Sequence, residues 1–139
     1  MDIQYIHMIS EKDYNRLRRA VGWHEIPSKQ AETGLKNTAF QIVATENDTP
    51  VGMARVVSDG GYVMYIADVV VQPDYQKNGI AKTMINQIME FINGGMDVGD
   101  QVLVCLMAAK GKESFYKLFG LEERPNDGHG AGMSTWITK

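Results

Sequence analysis

Tyr14, Leu17 and Val21 recur at the three-to-four spacing of a helix, and "SEKD" (10–13) just before them has the spacing of a capping box. This helix is predicted to end at Gly22, after a short strand over 3–9. Beyond "WHEIP", Ser28 can cap a second short helix reaching about Lys36. Three strands are predicted next, over about 38–45, 51–58 and 62–71, separated by the turn signals "ENDTP" and "SDGG" and therefore paired as an antiparallel meander. The third strand is nearly all apolar, as a central strand covered on both faces should be. From Gly79 the period changes. Ile80, Met84, Ile88 and Ile92 form one helical stripe, Ala81, Ile85 and Met89 widen it, and "NGG" (93–95) stops it.

Another buried strand is predicted over 101–107, so strand, helix and strand imply a right-handed parallel crossover. A helix near 113–119 should end at Gly120, with Leu121 making the hydrophobic contact beyond it. The glycine-rich "RPNDGHGAG" then precedes a last predicted strand, 133–138. The class is α+β, a mixed and mostly antiparallel central sheet flanked by helices on both faces.

A chain of 139 residues is expected to be one domain, large enough to bury about two-thirds of its unfolded surface. Its charge of -3 argues against a nucleic-acid partner, which needs clustered phosphate-neutralising cations. The densest basic group, Arg16, Arg18 and Arg19, is expected on a solvated helix face. No stretch is long and apolar enough to cross a bilayer, no leader pattern opens the chain, and the single Cys105 fits a reducing compartment. A cytoplasmic protein without membrane contact is the expectation. No His, Cys, Asp or Glu set has metal-ligand spacing, so no metal is expected.

The passage "VVVQPDYQKNGIAKTM" carries few reactive side chains. A helix start offers unpaired N–H groups and the positive end of the peptide dipoles, and both favour phosphate. Gly79 would let a ligand approach where a Cβ would obstruct it. Gln76, Lys77, Asn78, Gly79, Ile80 and Ala81 thus read as a main-chain cradle for a diphosphate, with a plain helix start as the alternative. Neither GxxxxGK[ST] nor GxGxxG is present.

This passage resembles the signature of the GNAT superfamily of acyl-CoA-dependent N-acyltransferases. Its V-x-P-x-[YW] corresponds to Val71, Gln72, Pro73, Asp74 and Tyr75, and its [QR]-x-x-G-x-[GA] to residues 76–81. "ESFYKLFGLEERP" resembles the family's F-Y-x-x-x-G-[FL]. The resemblance implies a GNAT-like fold and a pyrophosphate of coenzyme A held by the amides of residues 76–81. It further implies that backbone at Val69, Val70 and Val71, where the strand splays from its neighbour, meets the pantetheine arm and the oxyanion. Phe115 would pack against the cofactor. Ala108 and Ala109 depart from the Asn or Ser that many members carry near that point.

Acyl transfer from a thioester to an amine needs a base for the amine, donors for the oxyanion and an acid for the thiolate. The resemblance places Tyr116 as the acid. An acidic residue interrupting "YIADVVV", Asp68, is a candidate base or a structural carboxylate, and Glu25 is its rival. Trp23 and His24 could border the acceptor. Cys105 in an apolar strand is expected to be inert packing. The reading is an N-acetyltransferase using acetyl-CoA on a small-molecule or protein amine in a ternary complex, with a homodimer implied as plausible. The alternatives are a non-catalytic acyl-CoA-sensing module and a purely structural domain.

Overall fold

The computed structural model describes residues 1–139 and forms two compact units, Met1–Cys105 and Leu106–Lys139. The first holds a five-stranded sheet in the order of the chain, β1 (Ile3–Ile6), β2 (Phe40–Glu46), β3 (Thr49–Ser58), β4 (Val63–Val71) and β5 (Leu103–Cys105). The first four strands pair antiparallel and β5 joins β4 in parallel. Helices α1 (Glu11–Ala20), α2 (Ser28–Lys36) and α3 (Ile80–Gly94) complete this unit.

Alternation along β3 sends its residues to opposite faces. Met53 joins Tyr14, Leu17, Ala31 and Val70 in a core under α1 and α2. Gly52 lies under α3, where a Cβ would come within 3.1 Å of the Val70 carbonyl oxygen and 3.5 Å of Ile80 and Met84. Helix α3 buries Ile80, Met84, Ile85, Ile88 and Ile92, each contributing about 1.5–3 kcal/mol of apolar burial. That anchoring far outweighs the few tenths of a kcal/mol lost by starting a helix on Gly79 instead of a serine.

Three local expectations are corrected. Ser28 is the first helical residue, not the cap. The N-cap is Pro27, without a side-chain bond, and the Ser28 hydroxyl donates to Glu11 Oε1 at 2.5 Å. Strand β5 is three residues long, because its pairing with β4 ends at Tyr65 and Cys105. No strand forms over 133–138. Met133, Trp136 and Ile137 are exposed there, and their spacing of three and then one gives no single apolar face for a sheet to bury. By contrast, Ser10 caps α1 as expected, its Oγ accepting the Asp13 N–H at 3.1 Å. The second unit contains α4 (Glu113–Lys117), followed by Gly120 in the left-handed region at φ +87°.

Candidate active site

After Val71 the chain makes one last ladder bond, from the Gln72 N–H to the Val51 carbonyl at 2.8 Å, then a 3₁₀ turn over Pro73–Tyr75. The polar side chains of the following loop brace it against β2 and against its own main chain. Tyr75 donates its hydroxyl to Glu46 Oε1 at 2.8 Å, and Gln76 Nε2 donates to the Val71 carbonyl at 2.9 Å. Asn78 Nδ2 donates to the carbonyls of Tyr75 and Gln76 at 3.2 and 3.0 Å. The Gln76 N–H is used as well, on the Pro73 carbonyl. The N–H groups of Lys77, Asn78, Gly79, Ile80 and Ala81 donate to no protein acceptor.

Lys77 at φ +65° and Gly79 at φ +77° flank Asn78, and such alternation of handedness turns successive N–H groups toward one side, a concavity suited to an anion. The dipole of α3 adds its positive end there. A Cβ on Gly79 would meet nothing within 4 Å, so it is the left-handed φ that requires glycine, while the space beside it stays open to a ligand.

Upstream, β4 carries a bulge. Met53 faces Val70 and Arg55 faces Ala67, which leaves Asp68 and Val69 opposite the single residue Ala54. Asp68 adopts φ +54°, a conformation costing about 1–3 kcal/mol in a non-glycine residue unless its surroundings fix it. They do. Its Oδ1 accepts Arg18 Nη1 at 2.9 Å, and its Oδ2 accepts Arg55 Nε at 2.7 Å and the Tyr14 hydroxyl at 2.9 Å. Burial, reinforced by the Asp68 charge, pushes the Tyr14 phenol above its ordinary value of 10.0. The two guanidinium groups stand 5.8 and 5.9 Å from the Tyr14 ring centroid, and Arg18 lies 5.3 Å from that of Trp23.

Arg18 also donates from Nε to the His24 carbonyl at 2.8 Å, while Arg55 reaches the Gly34 carbonyl at 3.3 Å and Thr38 Oγ1 at 3.0 Å. Asn15, itself buried, takes both main-chain groups of Ile26, so the connection from α1 to α2 is held from one side. Pairing between β4 and β5 has already stopped at Tyr65, and from Ile66 to Val71 the only strand that β4 pairs with is β3. Val69, Val70 and Val71, where a splay was expected, lie beyond the end of β5 at Cys105, in the part of β4 that pairs with β3 alone.

The remaining nominated residues are less constrained. Glu25 is exposed and paired with the exposed Arg19. Trp23 is half-buried against the core under α1, and His24 is exposed. In the second unit Tyr116 is buried, and burial pushes its phenol above 10.0. The Phe115 ring meets Tyr116 edge-on at 5.0 Å and Phe119 at 5.3 Å.

The expectation of a solvated Arg16, Arg18 and Arg19 is corrected, for only Arg19 fits it. Arg18 is 5% exposed, and Arg16 donates to the Pro50 carbonyl at 2.7 Å and to Gln72 Oε1 at 3.3 Å. Arg18 follows Tyr14 by four residues and Leu17 by one, which places it beside the apolar stripe. Arg18, Arg55, Tyr14 and Asn15 were missed as site residues. The available signal was that a carboxylate inside an apolar strand needs a buried partner.

The sequence profile of the Acetyltransferase (GNAT) family matches residues 5–121. The uncharacterized N-acetyltransferase ycf52 of Pyropia yezoensis is 30% identical over 135 residues, covering 91% of this chain and 75% of that protein. A protein of unknown function from meticillin-resistant Staphylococcus aureus, called a probable acetyltransferase, superposes with a TM-score of 0.86 at 27% identity, over 99% of this chain and 100% of that one. AAC(6')-Iy, solved with the bisubstrate analogue CoA-S-monomethyl-acetylneamine, shares the fold at a TM-score of 0.69 and 13% identity, over 100% of this chain and 99% of that one. With 5–121 inside the family profile and a five-stranded sheet whose last strand joins in parallel, the chain belongs to the Acetyltransferase (GNAT) family and is an acyltransferase.

Proposed function

We propose that this protein transfers the acetyl group of acetyl-CoA to a primary amine by direct attack in a ternary complex. The observation that carries the reading is the set of five N–H groups at residues 77–81 with no protein acceptor, arranged on an anion-shaped turn beside the open side of Gly79. The diphosphate of acetyl-CoA fits that set by charge and by donor count. AAC(6')-Iy, which shares the fold, was solved with a bisubstrate analogue, and that supports a reading in which both reactants are held together.

In this reading the amine nitrogen attacks the thioester carbonyl, and main-chain N–H groups near Val69, Val70 and Val71 stabilise the oxyanion. Tyr116 hands its proton to the departing thiolate. Burial raises the Tyr116 phenol, so it is protonated at neutral pH and available to donate as negative charge develops on the sulfur, and the tyrosinate is reprotonated from solvent. Of the two carboxylates, Glu25 is assigned the base role, acting on the ammonium directly or through water. Its carboxylate is open to solvent, whereas Asp68 accepts three bonds. Trp23 and His24, flanking Glu25, would line the acceptor side, and Phe115 the cofactor. A reducing compartment such as the cytoplasm suits the single Cys105.

The test is release of free thiol from acetyl-CoA against a panel of small amines, polyamines, amino acids and peptide N-termini. Turnover with one class supports the proposal and names the acceptor. CoA binding without turnover on any of them would favour the sensing module instead.

A further inference from the structure

We propose that Asp68 is a positioning residue and not the base: with Arg18, Arg55 and Tyr14 its carboxylate forms a clamp that fixes the bulge of β4, and so aims the free edge of that strand at the acyl group. The inference rests on the acyltransferase reading above and adds to it what holds the oxyanion donors in place.

Three observations carry it. Asp68 sits at φ +54° as part of the extra length of β4 opposite Ala54, so the path of the strand beyond it depends on keeping that residue in the left-handed region. Its two carboxylate oxygens accept three bonds, from α1 (Tyr14, Arg18) and from β3 (Arg55), at 2.7–2.9 Å. A carboxylate offers about four acceptor positions, so most of this one is committed to the protein. The stretch that the clamp directs, from Ile66 to Val71, is the part of β4 that β5 leaves unpaired.

The same node reaches further. Arg18 also holds the His24 carbonyl, and Arg55 the Gly34 carbonyl at the end of α2. One carboxylate thus ties the strand edge to the connection that carries Trp23, His24 and Glu25. Loss of the clamp should displace oxyanion donors and acceptor-side groups together, and a misplacement of about 1 Å is worth roughly 10²-fold in rate.

The experiment compares Asp68→Asn, Arg55→Gln and the double variant with the wild type, using acetyl-CoA, the best amine of the panel, and circular dichroism to confirm folding. The clamp predicts that each single variant lowers kcat by roughly 10²-fold. The double variant should be no worse than either single, since both break one unit. The acid limb of the kcat/KM profile should persist in Asp68→Asn. Loss of that limb in Asp68→Asn, with Arg55→Gln near wild type, would make Asp68 the base and overturn the proposal. Folded variants with wild-type kcat would overturn it equally, leaving the network a stability feature alone. Should Asp68→Asn not fold, Tyr14→Phe removes one bond and keeps the ring. It is expected to lower kcat about tenfold, and an unchanged kcat would count against the clamp. A wild type that releases no thiol with any amine defeats the acyltransferase reading itself, and is distinguished by the absence of any rate to lose.

Discussion

Gly79 and Asp68 both stand in the left-handed region, at φ +77° and +54°, eleven positions apart on the same passage from strand to helix. They reach that conformation by opposite means. Gly79 has no Cβ to penalise it, needs no side-chain partner, and leaves the surrounding N–H groups unspent. Asp68 needs three donors from 13, 50 and 54 residues away to keep its place. The first is a site made by local sequence. The second is a site made by the finished fold, and the two should fail differently when disturbed.

Gly79→Val should have the largest effect. A β-branched residue is poorly suited to φ +77°, so the turn must change and CoA binding is expected to vanish. The fold should remain, because α3 is anchored by its buried stripe. A melting curve near that of the wild type, together with no response to CoA, is the expected pair. Next comes Tyr116→Phe, expected to lower kcat by roughly 10²–10⁴ with CoA affinity little changed. Steady-state thiol release and a CoA titration check both halves, and unchanged kcat would remove the acid role.

Arg18→Met moves the comparison to stability. It leaves the half-buried Asp68 with one cation fewer, and breaking such a pair from one side costs about 3–5 kcal/mol. Denaturant unfolding measures this, and a loss below about 1 kcal/mol would mean that Asp68 is not held by the clamp.

Tyr14→Phe removes a single bond to a charged acceptor and should cost about 1.5–3 kcal/mol. It also has a pH signature. The Tyr14 phenol is raised above its unfolded value near 10.0, so its contribution is intact below that pH and is lost as pH climbs through the raised value. Tyr116, raised by burial, contributes in the same sense. The melting temperature of the wild type should therefore fall above about pH 10, and that of Tyr14→Phe should fall less.

The smallest effect tests the local half of the comparison. Lys77→Gly relieves a left-handed lysine at φ +65° and should raise stability by about 0.5–1 kcal/mol with CoA affinity kept. A destabilised Lys77→Gly would show that the lysine side chain, and not only its main chain, holds the loop.

The same contrast explains which parts were legible in the sequence. The loop at 76–81 could be read because its turn, its glycine and its helix start are neighbours in the chain. The stripe of α3 was readable through its period and the three-stranded meander through its turns, whereas the pairing of β1 with β2 was not. The roles of Gln76 and Asn78 as struts for the loop were not readable, since side-chain direction decides them. Arg16 and Arg18 were misread because charge alone does not show which members of a run turn inward. The supposed strand over 133–138 had β-forming residues without a period of two, so composition suggested what the pattern did not support. Nothing local marks Arg55 and Asp68 as partners. Their contact exists only once β3 and β4 have paired with a bulge.

Thermal unfolding of the wild-type protein with and without CoA shows whether main-chain N–H groups at residues 77–81 hold a CoA diphosphate. At about a hundred times Kd, about 2.7 kcal/mol of added stability is expected in the wild type and none in Gly79→Val. A wild-type melting curve that does not move at millimolar CoA would contradict it.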